Sequence, residues 1–290
     1  MKFGVVFPQT EVSHDPEALP SIATAVEALG YDSLLFYDHV VGAQHADREP
    51  ALWGPYTERD PFHDPFVAMG FVAAITRRIE LATGVLILPQ RQTVLVAQQA
   101  ADVDLLSHGR LRLGVGTGWN WVEYHALGQE FASRGRRLSE QVPLLRRLWA
   151  EPLVTFEGEF DRIDRGCINP RPRRPIPVWF GGFGEAAFRR ASRHGDGFSF
   201  AGDAGTALEG LQRVRELLVA EGRDPEEFGR ELILTRARTA AEVVETASRW
   251  ADVGGTQVAV LTMKLGLYGH QAHVDHLAEV RAALQARFGS

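Results

Sequence analysis

Two adjacent residues, Asp38 and His39, have the types and the position for proton chemistry. They follow the apolar run 33–37 (SLLFY), which predicts a buried strand, and they precede a long loop. An imidazole can move a proton near neutral pH or donate to a cofactor carbonyl. The alternative is a carboxylate that caps the loop and a histidine that only packs. Their place at the end of a strand favours the catalytic interpretation for both residues.

Glycine-rich segments follow two other predicted strands. Residues 181–184 (GGFG) lie between a strand and a helix that begins near Glu185. The free N–H groups and partial positive charge of a helix N-terminus form a phosphate seat, although a tight turn explains the glycines equally well. Residues 114–118 (GVGTG) have the spacing GxGxG rather than the GxGxxG of a dinucleotide fingerprint. Gly202 and Asp203 follow a further strand.

Other catalytic constellations are weak or missing in the sequence. Cys167, the single cysteine, has no evident base partner, so we do not interpret it as a nucleophile. His270, His273 and His276 are spaced three apart. The polar start of a helix explains them better than a metal site, and we predict no metal. Without a GxSxG elbow or a carboxylate pair at adjacent strand ends, a hydrolytic or sugar-cleaving barrel is disfavoured.

The elements that must position these residues alternate between short β-branched runs and amphipathic stretches. Eight strand-and-helix units predict a parallel sheet closed into a (β/α)8 TIM barrel, with its active face at the strand carboxyl ends. The predicted strands lie at 2–7, 33–37, within 79–88, and at 111–115, 178–180, 197–200, 232–235 and 257–261. The predicted helices lie at 19–29, 65–74, 94–106, 135–149, 185–193, 206–221, 240–251 and 270–288. We interpret residues 1–290 as one domain with a long loop, 38–64, and a hairpin-containing insertion, 152–177.

The composition excludes several classes of protein. The chain has 290 residues, of which 45% are hydrophobic and 23% charged, as in ordinary soluble globular proteins. A net charge of −6 offers no basic surface for a phosphate backbone, so we expect no nucleic-acid partner. The longest apolar stretch is about half a membrane span, and no targeting segment is visible. One cysteine fits a reducing compartment, which predicts a cytoplasmic protein with a small-molecule substrate and no membrane partner.

Several motifs together resemble the bacterial luciferase-like monooxygenase superfamily. They are 30–35 (GYDSLL) with Asp38 and His39, 64–66 (DPF), 76–85 (TRRIELATGV), 106–111 (LSHGRL), 114–119 (GVGTGW), Arg134-Gly135 with Glu140, Gly181-Gly182, and 195–198 (GDGF). The resemblance is dense over residues 1–200 and looser beyond them. Within the superfamily, the sequence is most similar to the branch that uses the deazaflavin coenzyme F-420.

The resemblance implies a luciferase-like barrel that binds F-420, or alternatively FMN, at the carboxyl ends of its strands. That branch often has a non-prolyl cis peptide in a bulge of the third strand, and the matching bond here joins Gly84 and Val85. Asp38 and His39 are expected beside the ring or the substrate. The other implied cofactor contacts are Gly84 and Val85 at the bulge, Gly118, Trp119 and Asn120 near the ring, and Gly181, Gly182 and Phe183 on the phosphate.

One position departs from the family pattern. The F-420-dependent sugar-phosphate and alcohol dehydrogenases of the superfamily carry a glutamate after Gly-Thr-Gly as a proton donor to the ring, and this chain has Trp119 there. Glu123 matches a different, more general family position. We therefore expect His39 to be the proton partner in the reduction or oxygenation of a carbonyl or unsaturated compound. The predicted walls of an apolar substrate pocket are Phe7, Trp53, Tyr56 and Trp119.

The resulting prediction is a luciferase-like oxidoreductase that transfers a hydride between F-420 and a small apolar, carbonyl or unsaturated molecule. An FMN-dependent monooxygenase of the same fold is the first alternative, because the phosphate loops could hold either cofactor. A barrel that binds deazaflavin or flavin without turnover is the second, and it gains weight because Trp119 replaces an acid. Members of the family often dimerise, so the apolar faces of the helices after strands two and three could form a homodimer.

Overall fold

The computed structural model describes residues 1–202 and 204–289 and centres on a closed parallel sheet. The strands are β1 (Lys2–Val6), β2 (Ser33–Phe36), β3 (Glu80–Thr83), β4 (Leu86–Ile87), β5 (Leu111–Gly116), β6 (Val154–Glu157), β7 (Arg162–Gly166), β8 (Val178–Gly181), β9 (Gly197–Ala201), β10 (Gly229–Leu234) and β11 (Gln257–Leu261). Neighbours in the sheet run β3-β2-β1-β11-β10-β9-β8-β5, and β5 pairs back to β3. Eight parallel strands of the described residues therefore close a barrel, which confirms the predicted fold.

Helices follow the barrel strands and form the outer layer. They are α1 (Gln9–Val12), α2 (Ala18–Ala28), α3 (Pro65–Ile75), α4 (Thr93–Leu106), α5 (Trp121–Ala126), α6 (Arg134–Ala150), α7 (Glu185–His194), α8 (Ala204–Ala220), α9 (Ala240–Asp252) and α10 (Gly269–Phe288). The eight predicted helices are present with ends shifted by a few residues at most. The sequence pattern missed α1 and α5, which are too short to show a helical period. None of the described helices is long and apolar enough to cross a membrane.

The third barrel strand is interrupted by the predicted bulge. The peptide bond between Gly84 and Val85 is cis and separates β3 from β4, and β4 then pairs with the end of β5. Beside the bulge, β3 and β5 approach closely, because a Cβ placed on Gly114 would lie 2.0 Å from the carbonyl oxygen of Thr83. Only glycine fits that position. The bulge therefore carries Val85 across the carboxyl end of the barrel.

The barrel interior contains a buried ion cluster beneath an apolar layer. The Arg112 guanidinium is bonded to Glu231 at 2.9 Å and to Glu80 at 2.6 Å, and the Ser199 hydroxyl donates to Glu231 at 2.7 Å. The apolar layer consists of Val6, Leu35, Ala82, Ile233 and Ala259. Charged groups in the core are thus paired, as burial demands.

The predicted insertion contains a β-hairpin, and the predicted long loop is bonded to Arg91 at both of its ends. β6 and β7 pair antiparallel as a hairpin outside the barrel, as the sequence predicts. Residues 38–64 contain neither helix nor strand. Both ends of this loop are bonded to one side chain, because Arg91 donates to Asp38 at 2.6 Å and to Asp64 at 3.1 Å. Asp64 also accepts from the N–H of Phe66 at 2.9 Å, which fixes the start of α3.

Candidate active site

A cavity of about 420 Å³ opens at the carboxyl ends of the strands. Strand ends and the long loop supply its lining: Tyr37, Asp38, His39, Pro55, Tyr56, Gly84, Val85, Ile87, Gly116, Thr117, Gly118, Trp119, Gly181, Gly182, Phe183, Ser199, Ala201 and Ile233. The volume lies in the range of ordinary small-molecule sites. The fold therefore brings most of the predicted site residues to one place, although they come from distant parts of the sequence.

His39 is held in this cavity by one carboxylate and three aromatic rings. Its Nδ1 lies 3.1 Å from Oε2 of Glu123. The ring centroids of Tyr56, Phe62 and Trp119 lie 5.3, 4.9 and 5.4 Å from that of the imidazole. The Nε2 atom has no hydrogen-bond partner among the described residues. The imidazole thus keeps one nitrogen free for a ligand in the cavity.

Glu123 organises the start of the long loop as well as the imidazole. Its side chain is 1% exposed, and its Oε1 accepts the backbone N–H groups of Val40 and Val41. Asn120 caps α5 by accepting the N–H of Glu123 at 3.3 Å and donates to the carbonyl of Val41 at 3.1 Å. Asn120 therefore contacts the loop backbone and does not line the cavity. Its predicted cofactor contact stays a prediction.

Asp38 is buried, and both of its carboxylate oxygens have protein partners. Oδ1 accepts from Arg91 at 2.6 Å, and Oδ2 accepts from the Ile87 N–H at 2.9 Å and from Arg91 Nε at 3.3 Å. Burial raises the pKa of Asp38, and the Arg91 charge opposes that rise. Asp38 thereby connects β2 to the bulge and to Arg91. Arg91 is a residue that sequence reasoning missed.

Two phenols add polar groups to the cavity. Tyr37 and Tyr56 both line it, with ring centroids 6.4 Å apart. Their hydroxyls have no hydrogen-bond partner in the described part of the chain. Burial raises the pKa of both phenols well above the ordinary value, so both stay protonated and can donate. The sequence assigned Tyr37 only to a strand, although a spacing of two residues from His39 predicts that the two side chains point the same way where the chain is extended.

The second glycine-rich segment forms the rim of the cavity. Gly182 and Gly184 have φ values of 140° and 79°, which L side chains rarely adopt. Gly184 is the N-cap of α7, and within the described residues the N–H groups of Phe183 and Gly184 donate to no protein acceptor. Phe183 is 76% exposed at this rim. The predicted anion site therefore has two backbone donors without a protein acceptor among the described residues.

Two residues chosen from the sequence, Phe7 and Trp53, lie outside the cavity. Phe7 is fully buried and packs against Phe36, with ring centroids 5.6 Å apart, so it does not line the cavity. Trp53 is 82% exposed and lies outside the cavity lining. Its neighbour Gly54 lies against the Trp119 ring instead, since a Cβ there would come within 2.3 Å of the indole. Asp203, named at the end of a predicted strand, lies outside the described residues.

Comparison with known proteins shows the family of this chain and agrees with its fold. An F-420-dependent glucose-6-phosphate dehydrogenase of Intrasporangium calvum is 34% identical over 255 residues, which are 83% of this chain and 72% of the relative. The monooxygenase RslO1 of Streptomyces bottropensis superposes with a TM-score of 0.81 at 20% identity, covering 99% of this chain and all of the other. An F-420-dependent secondary alcohol dehydrogenase, solved with an F-420–acetone adduct, gives 0.80 at 17% identity over 98% of each chain. The sequence model described as luciferase-like monooxygenase matches residues 1–287, and the chain therefore belongs to the luciferase-like monooxygenase family.

Proposed function

We propose that this protein is an F-420-dependent oxidoreductase that transfers a hydride between the deazaflavin and a small uncharged carbonyl or unsaturated compound. The observation that carries the proposal is a histidine with one free ring nitrogen in a cavity that glycine backbone borders. A relative and a structural neighbour are both described as F-420-dependent, which supports the cofactor. The coenzyme, when bound, supplies or accepts the hydride.

The residues present fit such a coenzyme. Gly116 and Gly181 make room for the Val85 side chain, since a Cβ on either glycine would lie 2.5 or 2.7 Å from it, and Val85 thereby lines the cavity as an apolar surface for a flat ring. The free N–H groups at the start of α7 suit its phosphate. Phe183 and Trp119 add apolar surface beside that backbone. These same features also suit a flavin phosphate, so they favour this class of cofactor rather than one member of it.

The side chains of the cavity have separate tasks in this proposal. His39 gives a proton to the substrate oxygen during reduction and takes it back during oxidation. The hydroxyls of Tyr37 and Tyr56 donate to the same oxygen and orient it. Trp119 and the loop residue Tyr56 cover the imidazole and exclude water from it. Asp38 keeps the bulge in place through its bond with the Ile87 N–H.

The cavity favours an uncharged substrate over a sugar phosphate. No lysine or arginine is among the described residues that line it, so the phosphate of a sugar phosphate would have no cationic side chain to pair with in the cavity. Lys264, whose Nζ lies 5.9 Å from the Tyr56 ring centroid, is exposed and outside the lining. This chain has Trp119 after Gly-Thr-Gly, where the sugar-phosphate dehydrogenases of the family carry a glutamate. That difference also favours a substrate other than a sugar phosphate. We therefore infer a substrate that differs from the one named for the 34% identical relative.

The first test is binding of oxidised F-420 and of FMN to the purified protein, measured by calorimetry and by fluorescence. We expect tight binding of F-420 and weak binding of FMN. Reduced F-420 is then offered with 2-cyclohexen-1-one, cyclohexanone or acetone, and recovery of its visible absorbance is followed. Oxidised F-420 with glucose 6-phosphate is the comparison, and robust turnover there would refute the substrate class.

An FMN-dependent monooxygenase is the second candidate function. It is supported by the superposition on the monooxygenase RslO1 and by the general phosphate seat at the start of α7. Tight binding of FMN alone, followed by oxygen consumption with reduced FMN, would favour this candidate. Binding of F-420 without turnover of any carbonyl or unsaturated compound would instead indicate a protein that only carries the coenzyme.

A further inference from the structure

Glu123 is a buried carboxylate whose two oxygens have different partners. Oε1 accepts two backbone N–H groups, from Val40 and Val41, and Oε2 faces Nδ1 of His39 at 3.1 Å. No lysine or arginine of the described residues lies within ion-pair distance of it. A buried anion of this kind is retained only where its hydrogen bonds compensate for lost water. The imidazole is the one side chain bonded to Oε2 in the described structure.

We propose that Glu123 is a positioning residue that decides which ring nitrogen of His39 carries the hydrogen. An ionised carboxylate can only accept hydrogen bonds. Nδ1 of His39 must therefore be the protonated nitrogen, and Nε2 is left with its lone pair toward the cavity. This inference rests on the proposed function only in assigning the chemistry to Nε2. The assignment of the tautomer stands on the contacts of Glu123 alone.

The proton balance of the proposed reaction makes Nδ1–H the neutral form of the ring in both directions. Reduction starts from the doubly protonated ring: a C–H bond forms at the substrate carbon with the hydride from the coenzyme, the C=O π bond breaks, and the oxygen takes the proton from Nε2. The ring is then neutral, with its remaining hydrogen on Nδ1 toward Glu123. During oxidation, the Nε2 lone pair takes the proton from the substrate hydroxyl while the coenzyme accepts the hydride. A ring that carries its hydrogen on Nε2 has no free lone pair there for that step.

The substitution Glu123→Gln separates the bonds of Glu123 to the loop backbone from its bond to His39. An amide has one oxygen and one NH₂ group. The oxygen satisfies the N–H groups of Val40 and Val41, because the opposite orientation would place donors against two donors. The NH₂ group then faces Nδ1 of His39, which must become an acceptor. The variant therefore moves the hydrogen of the neutral ring to Nε2 without removing the histidine.

The chain offers a matched control in Glu140. Its carboxylate also accepts three backbone N–H groups, from Glu159, Phe160 and Asp161, at 2.6, 2.9 and 2.9 Å. These groups belong to the turn of the β6–β7 hairpin, away from His39. Glu140→Gln therefore removes a similar carboxylate from a similar backbone turn. A general loss of structure affects both variants, whereas a change of tautomer affects only Glu123→Gln.

The direct test is heteronuclear NMR of the isotope-labelled, cofactor-free protein, which distinguishes protonated from unprotonated ring nitrogens. The His39 signals are assigned by their absence in His39→Gln. We expect the Nδ1–H form in the parent protein and in Glu140→Gln, and the Nε2–H form in Glu123→Gln. Should Glu123→Gln fail to fold, Glu123→Asp keeps an acceptor-only group and must retain the Nδ1–H form. An Nε2–H ring in the parent protein overturns the proposal, whatever the cofactor.

A double-mutant cycle tests whether the role of Glu123 passes through His39. We expect Glu123→Gln to lower kcat about 10²- to 10⁴-fold with a nearly unchanged Kd for F-420. In a His39→Ala background it should lower kcat no further, because the residue through which it acts is gone. An equal loss in both backgrounds overturns the positioning role. If no substrate is turned over, the proposed function fails, and the NMR result still decides the tautomer.

Discussion

At the scale of single residues, His39 is the group whose loss is expected to affect chemistry more than folding. Its ring packs against Tyr56 and Phe62, which also contact each other, with ring centroids 5.0 Å apart. We expect His39→Ala to lower kcat about 10²- to 10⁴-fold, the usual contribution of a general acid or base. Calorimetric affinity for F-420 should remain close to that of the parent. Unchanged turnover would remove His39 from the proposed catalytic role.

A second prediction at this scale concerns the stability contributed by Asp38. Asp38→Asn leaves the half-buried Arg91 with Asp64 as its remaining carboxylate partner. Because the substitution removes one partner of a buried ion pair, we expect the free energy of unfolding to fall by about 3 kcal/mol. Denaturant unfolding measures this change.

The matched control for Asp38 is an exposed ion pair. Glu157 and Arg162 lie 3.7 Å apart in the hairpin, with both side chains more than 70% exposed. Glu157→Gln should change the free energy of unfolding by less than about 1 kcal/mol. If the two substitutions lower the free energy of unfolding equally, Asp38 contributes no more to stability than an exposed charge.

The sequence predicted residues that line the cavity where strands end, but it did not predict which residues are bonded to them. His39 and the glycine-rich segments could be predicted because their types and their places after strands are visible in a linear chain. Glu123 and Arg91 could not, since they lie 84 and 53 residues from their partners His39 and Asp38. Those contacts exist only once the barrel closes.

At the scale of secondary structure elements, α10 carries a pH-dependent contact with the barrel. His273 donates or accepts at Thr262 through Nδ1, at 2.8 Å, and its Nε2 lies 3.4 Å from Glu11 without a hydrogen bond. Burial lowers the pKa of His273 to about 4. In the unfolded chain the pKa of this histidine is about 6.5. Between pH 6.5 and pH 4 the unfolded chain therefore binds more protons than the folded chain, and the free energy of unfolding falls as the pH falls through this range.

The difference between the folded and unfolded pKa of His273 makes the free energy of unfolding depend measurably on pH. We expect the free energy of unfolding to fall by about 1–2 kcal/mol from pH 7 to pH 5 on account of His273. Urea unfolding of the parent protein and of His273→Gln at both pH values isolates this contribution, because all other groups titrate in both proteins. Parallel changes in the two proteins would contradict the assignment.

The alternation of strands and helices was predictable because buried parallel strands and amphipathic helices have distinct periods. The helix over 134–150 illustrates this, since Leu138, Val142, Leu145 and Trp149 are all buried as their spacing indicates. By contrast, the path of residues 38–64 could not be predicted. That loop has no period, and its shape depends on contacts with Arg91, Glu123 and Trp119.

At the scale of the whole molecule, homodimer formation remains a prediction with a defined surface. Val67, Phe71 and Ile75 lie on one face of α3 and are 73%, 48% and 37% exposed, and Leu95 on neighbouring α4 is 51% exposed. We expect a dimer in size-exclusion chromatography with light scattering, and a monomer for Phe71→Glu, because a buried charge opposes association. Val219→Glu on α8, 65% exposed, should leave the dimer intact. A monomeric parent protein would contradict the prediction.

The attachment of both loop ends to Arg91 has a consequence for protein engineering. Arg91 lies in the connection between β4 and α4, outside the long loop, so the segment between Asp38 and Asp64 starts and finishes at one residue of the barrel scaffold. The entropic cost of closing a loop rises by only about 0.6 kcal/mol for each doubling of its length. A foreign segment of different length in place of residues 42–63, which keeps both aspartates and the residues bonded to Glu123, His39, Val40 and Val41, could therefore be grafted here without rebuilding the strands. The loop can then be replaced by libraries of other sequences, and the resulting variants screened for new substrate specificities on an unchanged barrel.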